Sequence, residues 1–198
     1  MSVPADAAAV DAAPRLAGAC DTHMHFYDEA SPVAANAVLR PPPATVDDYR
    51  VVQTALGMER VVVVQPTTYG LDNSHQLNAI SLIGADARGV VVVDESVSEH
   101  ELERLTALGV CGARFHMLPG GAVGWEQLLP VAHRIAPFGW HVQLQLDGHE
   151  LSERRDDLLR LPCGLVIDHV GRFMPPAPPE SADFAALLEL VDAGAFVK

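Results

Sequence analysis

Apolar residues run through this chain in two alternating rhythms. Short, nearly continuous apolar runs occupy residues 19–25, 60–65, 89–94, 112–116, 141–146, 165–169 and 195–198. Two of them hold four valines in a row, Val61 to Val64 and Val90 to Val93. Such runs fit strands buried on both faces, as in a parallel sheet. Longer stretches between them carry apolar residues at helical spacing. Thr45 to Gly57 opens on a capping residue with Asp48 three places on, and stops at glycine. Ser98 to Gly109 repeats the scheme with Glu101, and Leu102, Leu105 and Leu108 share one face. Residues 125–138 and 184–193 behave alike, closing near Gly139 and Gly194. Strand and helix alternating at intervals of roughly 25–35 residues predict βα units with parallel strands.

Two α/β architectures satisfy that alternation. An open dinucleotide-binding sheet would carry a Gly-x-Gly-x-x-Gly turn after its first strand. Here the first strand runs into His23-Met24-His25 instead. The runs also share polar C-terminal ends: His23 and His25, Gln65, Asp94, Arg114 and His116, Gln143 and Gln145, Asp168 and His169. A (β/α)8 TIM barrel gathers its chemistry at that rim, so the barrel is the expectation. Seven strands are counted where a barrel needs eight, so the expected barrel is truncated after strand seven. The Pro-rich stretch from Met174 to Pro179 reads as a rim loop after strand six. The Ala-rich residues 1–17 read as a disordered leader ahead of one domain over 18–198.

Composition narrows the function. Apolar residues make up 49% of the 198, enough for a real core. No apolar run approaches the roughly 20 residues of a membrane span. A net charge of −13 and no basic stripe argue against nucleic acid and anionic membranes. The leader lacks a secretory h-region, and Cys20, Cys111 and Cys163 are odd in number and widely spaced. Both features favour reduced thiols in a cytoplasmic protein. There is no Gly-x-Ser-x-Gly, and no cysteine adjoins a plausible base, so nucleophilic serine or cysteine chemistry finds no support.

The candidate chemistry sits at the strand ends. His23 and His25, two apart on a strand, point to one side. There they could ligate a divalent ion or act as general bases. Strand alternation sends Asp168 and His169 to opposite faces, and His169 is taken as the one facing the site, with Asp168 orienting a neighbour or capping the loop. Arg114 and Arg172 suit a bidentate clamp on a substrate carboxylate. Their alternative is a structural ion pair. Gln143 and Gln145 share a face and suggest hydroxyl or carbonyl contacts. Tyr69 could reach a substrate or serve the turn after strand two. His116 shares the parity of Arg114.

Three stretches together carry a resemblance: Asp21-Thr22-His23-Met24-His25-Phe26, Val62-Val63-Val64-Gln65-Pro66 and Asp168-His169-Val170-Gly171-Arg172. They resemble the amidohydrolase superfamily, and within it the lactone-processing branch of 2-pyrone-4,6-dicarboxylate lactonases and D-galactarolactone isomerases. The resemblance runs from about residue 19 to the end. It implies a (β/α)8 barrel with a catalytic trio at His23, His25 and His169, and carboxylate-binding arginines at Arg114 and Arg172. It also implies a general-base aspartate on an eighth strand, past Lys198. Many metal-dependent relatives carry a fifth-strand histidine, where this chain has Gln143 and Gln145. One divalent ion, Zn²⁺ or Mn²⁺, on the histidine trio therefore stands beside metal-independent activity. The implied activity is hydrolysis of a sugar-acid or dicarboxylate lactone, on a small anionic substrate. Lactone isomerisation, metal-dependent decarboxylation or amide hydrolysis, and an inactive truncated fragment are the alternatives.

Overall fold

The structure, a computed structural model, describes residues 13, 14 and 17–198. Most of the expected leader lies outside the described residues. Strands and helices alternate as β1 (Cys20–Met24), α1 (Val46–Ala55), β2 (Arg60–Val64), α2 (Ser74–Ile83), β3 (Ala87–Val91), α3 (Glu99–Ala107) and β4 (Val110–His116). Then follow α4 (Trp125–Ile135), β5 (His141–Gln145), α5 (Leu151–Leu159), β6 (Leu165–Ile167), α6 (Ala182–Asp192) and β7 (Phe196–Val197). All seven strands are parallel and lie in sequence order in one sheet. Sequential parallel strands with a helix in each crossover form the wall of a (β/α)8 barrel.

Among the described residues β1 and β7 are the two edges of this sheet. Lys198, next after β7, donates from Nζ to the Thr22 carbonyl of β1 at 2.7 Å. Among the described residues this bond links one edge of the sheet to the other.

Strand parity separates core from site. On β4, Ala113 and Phe115 are fully buried in the main core, while Arg114 and His116 take the other parity. On β5 the core parity is Val142, Leu144 and, just beyond the strand, Leu146; Gln143 and Gln145 alternate with them. Leu102, Leu105, Leu128 and Ile135 of α3 and α4 pack into the same cluster. Each such side chain contributes roughly 1.5–3 kcal/mol by leaving water. A second cluster joins Val61 and Val63 of β2 to Tyr49, Ala79 and Ile80 of α1 and α2. Low in the interior, Gly112 makes room for the His141 ring, which an added Cβ would meet at 2.7 Å.

The helix starts follow the caps read from sequence. Thr45 and Asp48 form a reciprocal capping box on α1. Ser98 accepts from the Glu101 amide at 3.1 Å. The Glu101 side chain turns instead to Arg104 in a two-armed pair. Among the described residues, no helix is long and apolar enough to cross a membrane.

Candidate active site

The interior parity of β1, β4, β5 and β6 converges at the C-terminal rim. His23 and His25 meet there through their Nε2 atoms at 3.2 Å. His25 Nδ1 lies 2.6 Å from the carbonyl oxygen of Val64. A carbonyl only accepts, so His25 Nδ1 carries the proton. Burial and then the nearby Arg114 charge push the His25 pKa down to about 3, so its ring is neutral near pH 7.

Asp168 is the centre of charge. It has no exposed surface, and four groups surround its carboxylate. Gln143 donates to Oδ2 at 3.2 Å, and Arg114 stands 3.8 Å from the same oxygen. His23 Nδ1 and Lys198 Nζ stand 3.6 and 3.8 Å from Oδ1, which has no hydrogen-bond partner. Burial alone would raise the Asp168 pKa. The close approach of His23 and the charges of His23, Arg114 and Lys198 outweigh it, and the carboxyl is held below its ordinary value.

Arg114 lies in the interior with little exposed surface. It donates to the Gln65 carbonyl and to Gln145 Oε1, each at 2.8 Å. Gln145 Oε1 also stands 3.2 Å from His116 Nδ1. Burial, then Arg114, push the His116 pKa down to about 4. The two glutamines expected to meet substrate hydroxyls are thus engaged with the arginine and the carboxylate. Tyr69 sits buried in a short 3-10 turn at residues 67–69, where its hydroxyl accepts from the Asp28 amide at 3.1 Å. Tyr27 lies between the Tyr69 and His25 rings, at centroid distances of 6.2 and 6.1 Å.

The structure alters the picture of strand six. Alternation admits only one of Asp168 and His169 to the site, but β6 ends at Ile167. The chain then turns left-handed, with φ of 54° at His169, 50° at Val170 and 49° at Arg172. Asp168 keeps the interior parity of Val166, and the turn that follows leaves the exposed His169 ring 5.5 Å from His23. Arg172 stays at the half-exposed outer rim, near enough for its charge to act on His116. Lys198 was not anticipated, although the rule of polar residues at strand ends, applied to the seventh run, selects it.

A divalent ion fits this donor set poorly. The Nε2 atoms of His23 and His25 stand 3.2 Å apart, near enough to be shared by one ion, but the Asp168 carboxylate already faces Arg114 and Lys198. Among the described residues no three His, Cys, Asp or Glu side chains are grouped to hold a metal ion.

Parallel βα units wound in order, with histidines and a buried ion cluster at the C-terminal rim, define the class of barrel proteins with a rim site. The chain belongs to the Amidohydrolase family, which it matches over residues 20–197. It is 36% identical to a D-galactarolactone isomerase of Agrobacterium fabrum over 89% of this chain and 61% of the relative. It is 34% identical to a 2-pyrone-4,6-dicarboxylate hydrolase of Comamonas testosteroni, over 88% of this chain and 59% of the relative. An apo crystal structure from Agrobacterium tumefaciens superposes with a TM-score of 0.85 at 33% identity. That match covers 92% of this chain and 65% of the solved one. The chain therefore spans about three fifths of the length of these curated relatives.

Proposed function

We propose that this chain carries the carbonyl-activating part of a site that hydrolyses a lactone of a sugar acid or a dicarboxylate. The observation that carries this reading is the meeting of His23, neutral His25 and exposed His169 above the Asp168–Arg114–Lys198 cluster. The functions of the two relatives, one a lactone isomerase and one a pyrone hydrolase, support the substrate class.

The chemistry follows from where charge develops. As a nucleophile adds to the lactone carbonyl, negative charge gathers on its oxygen. Donors and cations already fixed in a dry site stabilise that charge without reorganising. His169 is placed to meet the carbonyl, while the fields of Arg114 and Lys198 act from beneath. Arg172, at the rim, is the arginine free to receive the substrate carboxylate. Water adds to the carbonyl carbon, the ring C–O bond breaks, and the departing alkoxide takes a proton. The family resemblance assigns the general base to an aspartate past Lys198.

A second reading is isomerisation, favoured by the 36% identity to the galactarolactone isomerase. There a hydroxyl of the substrate replaces water, and one lactone ring becomes another. The purified protein, incubated with D-galactarolactone and with 2-pyrone-4,6-dicarboxylate in 18O-water, separates the two. A ring-opened acid carrying one 18O is expected. An isomeric lactone without label selects the second reading. No conversion of either compound, or of related carboxylated lactones, overturns both.

A further inference from the structure

Gln143 and Gln145, the side chains expected to meet substrate hydroxyls, are engaged inside the ion cluster. A phenol at the rim is placed to take that part. Met24 and Phe26 pack into the second cluster with Val63 and Ile80, so the alternate residues His25 and Tyr27 turn to the interior side. β1 ends at Met24, but the backbone beyond it is pinned. Gln76 brackets Phe26, accepting from its amide at 3.1 Å and donating to its carbonyl at 2.7 Å. Tyr27 pairs with Ala44 in an antiparallel bridge, with bonds of 3.0 and 2.9 Å. The alternation therefore continues past the end of the strand.

The Tyr27 ring follows His25 in a file of rings along the rim. Centroids lie 5.5 Å apart from His169 to His23, 4.8 Å from His23 to His25 and 6.1 Å from His25 to Tyr27. Tyr69 comes next at 6.2 Å, but its hydroxyl holds the Asp28 amide. The Tyr27 hydroxyl bonds nothing among the described residues and is not sealed from solvent. Burial raises its pKa above the ordinary 10, against the pull of the Arg114 charge, so the phenol is neutral near pH 7. The mouth it faces is narrow. Arg114 donates to the Gln65 carbonyl after β2 and stands 3.8 Å from Asp168 after β6.

We propose that Tyr27 selects the substrate: its phenol exchanges hydrogen bonds with an alcohol group of the bound lactone, and so favours sugar-acid lactones over the flat pyrone. A phenol both donates and accepts, as an alcohol does. The pyrone dicarboxylate carries no alcohol, and a phenol covered by it without a partner costs binding. This inference rests on the lactone reading above and names the substrate class within it.

The test compares two six-carbon dicarboxylates by calorimetric titration, galactarate with four hydroxyls and adipate with none. Neither carries a lactone to open, so binding is read apart from turnover. Wild type is expected to bind galactarate more tightly. Tyr27→Phe removes one hydroxyl and should weaken galactarate binding about three- to tenfold, the worth of one neutral hydrogen bond. Adipate binding should be unchanged in that variant, and so should the melting temperature, since the hydroxyl holds nothing in the protein. Unchanged galactarate binding in Tyr27→Phe overturns the proposal, as does an equal loss on both ligands. A wild type that binds the two alike, or neither, overturns it without any variant. The lactone reading is judged apart from this. A protein that opens no lactone, yet prefers galactarate and loses that preference in Tyr27→Phe, refutes the reaction and upholds the hydroxyl contact.

Discussion

The two ends of the strands treat charge in opposite ways. At the N-terminal end, beneath β2 and β3, a cleft of about 320 Å³ is lined by Arg50, Gln53, Glu59 and Asp86, among others. At the C-terminal rim the void beside Gln65, Arg114 and His116 holds only about 10 Å³, room for about one water. Yet the larger cleft has charges that face solvent, whereas the smaller space adjoins charges sealed from it. Arg50 pairs with Asp47 at 2.8 Å with both side chains exposed. Asp168 meets Arg114, Lys198 and His23 with none of its surface in water. Coulomb energy is screened in the first case and amplified in the second. Shifted protonation at the rim, and not the size of a hollow, is what marks the candidate site.

That contrast breaks most visibly at Asp168. Asp168→Asn leaves Arg114 and Lys198 without their buried counter-charge. Removing one partner of a buried ion pair costs about 3–5 kcal/mol. Urea unfolding should lose that much stability in the variant. A loss under about 1 kcal/mol would put the rim cluster in the same class as an exposed surface pair.

Much of this arrangement is legible in the sequence, because the strand signal here is strong. The valine runs at 61–64 and 90–93 overlap β2 and β3, and Thr45, Asp48 and Ser98 mark helix starts that the backbone adopts. Two helices escape the pattern. In α5 only Leu151 and Leu158 are buried, and the intervening Glu, Arg and Asp residues hide the apolar stripe. In α2 the cap residue Asn73 does not bond the first turn, since it spends its amide on both backbone groups of Val92. At the site, parity places His23, Arg114, Gln143 and Gln145 on one interior surface. Parity stops helping where the strand stops. Parity through Val166 puts Asp168 inside, but β6 ends one residue before it and four residues of positive φ follow, so period two does not show that His169 also reaches the rim. The partners of the glutamines are equally invisible, because they come from strands far apart in sequence.

A smaller effect, of defined sign, sharpens the contrast by pH. Folded His25 and His116 have pKa values of about 3 and about 4, against an ordinary 6.5. As pH falls below about 6.5 the unfolded chain takes up protons at these positions and the folded chain does not. The unfolded state is then favoured, so stability declines with acid through that window. Asp168, whose carboxyl is held below its ordinary 3.8, adds a loss of the same sign at lower pH. His116→Gln should flatten the slope of melting temperature against pH between about 6.5 and 4. A slope unchanged in that variant would mean that His116 charges as readily folded as unfolded.

The smallest expected effect lies at the other end of the molecule. Arg50 sits on α1 three residues after Asp47, and its second arm reaches the Leu82 carbonyl at 3.1 Å. Exposed pairs at this spacing contribute about 0.2–0.5 kcal/mol, which salt removes. Arg50→Ala should therefore shift the urea midpoint slightly, and not at all in about 1 M salt, where the screening length is about 3 Å. Lactone turnover should be unaltered, since the cleft it lines faces away from the rim. If Arg50→Ala instead lowers turnover, or costs more than about 1 kcal/mol in high salt, the large cleft is a working site. The division between a screened end and a sealed end would then fail. A null result in both assays leaves desolvation, rather than the volume of a hollow, as the property that sets the rim apart.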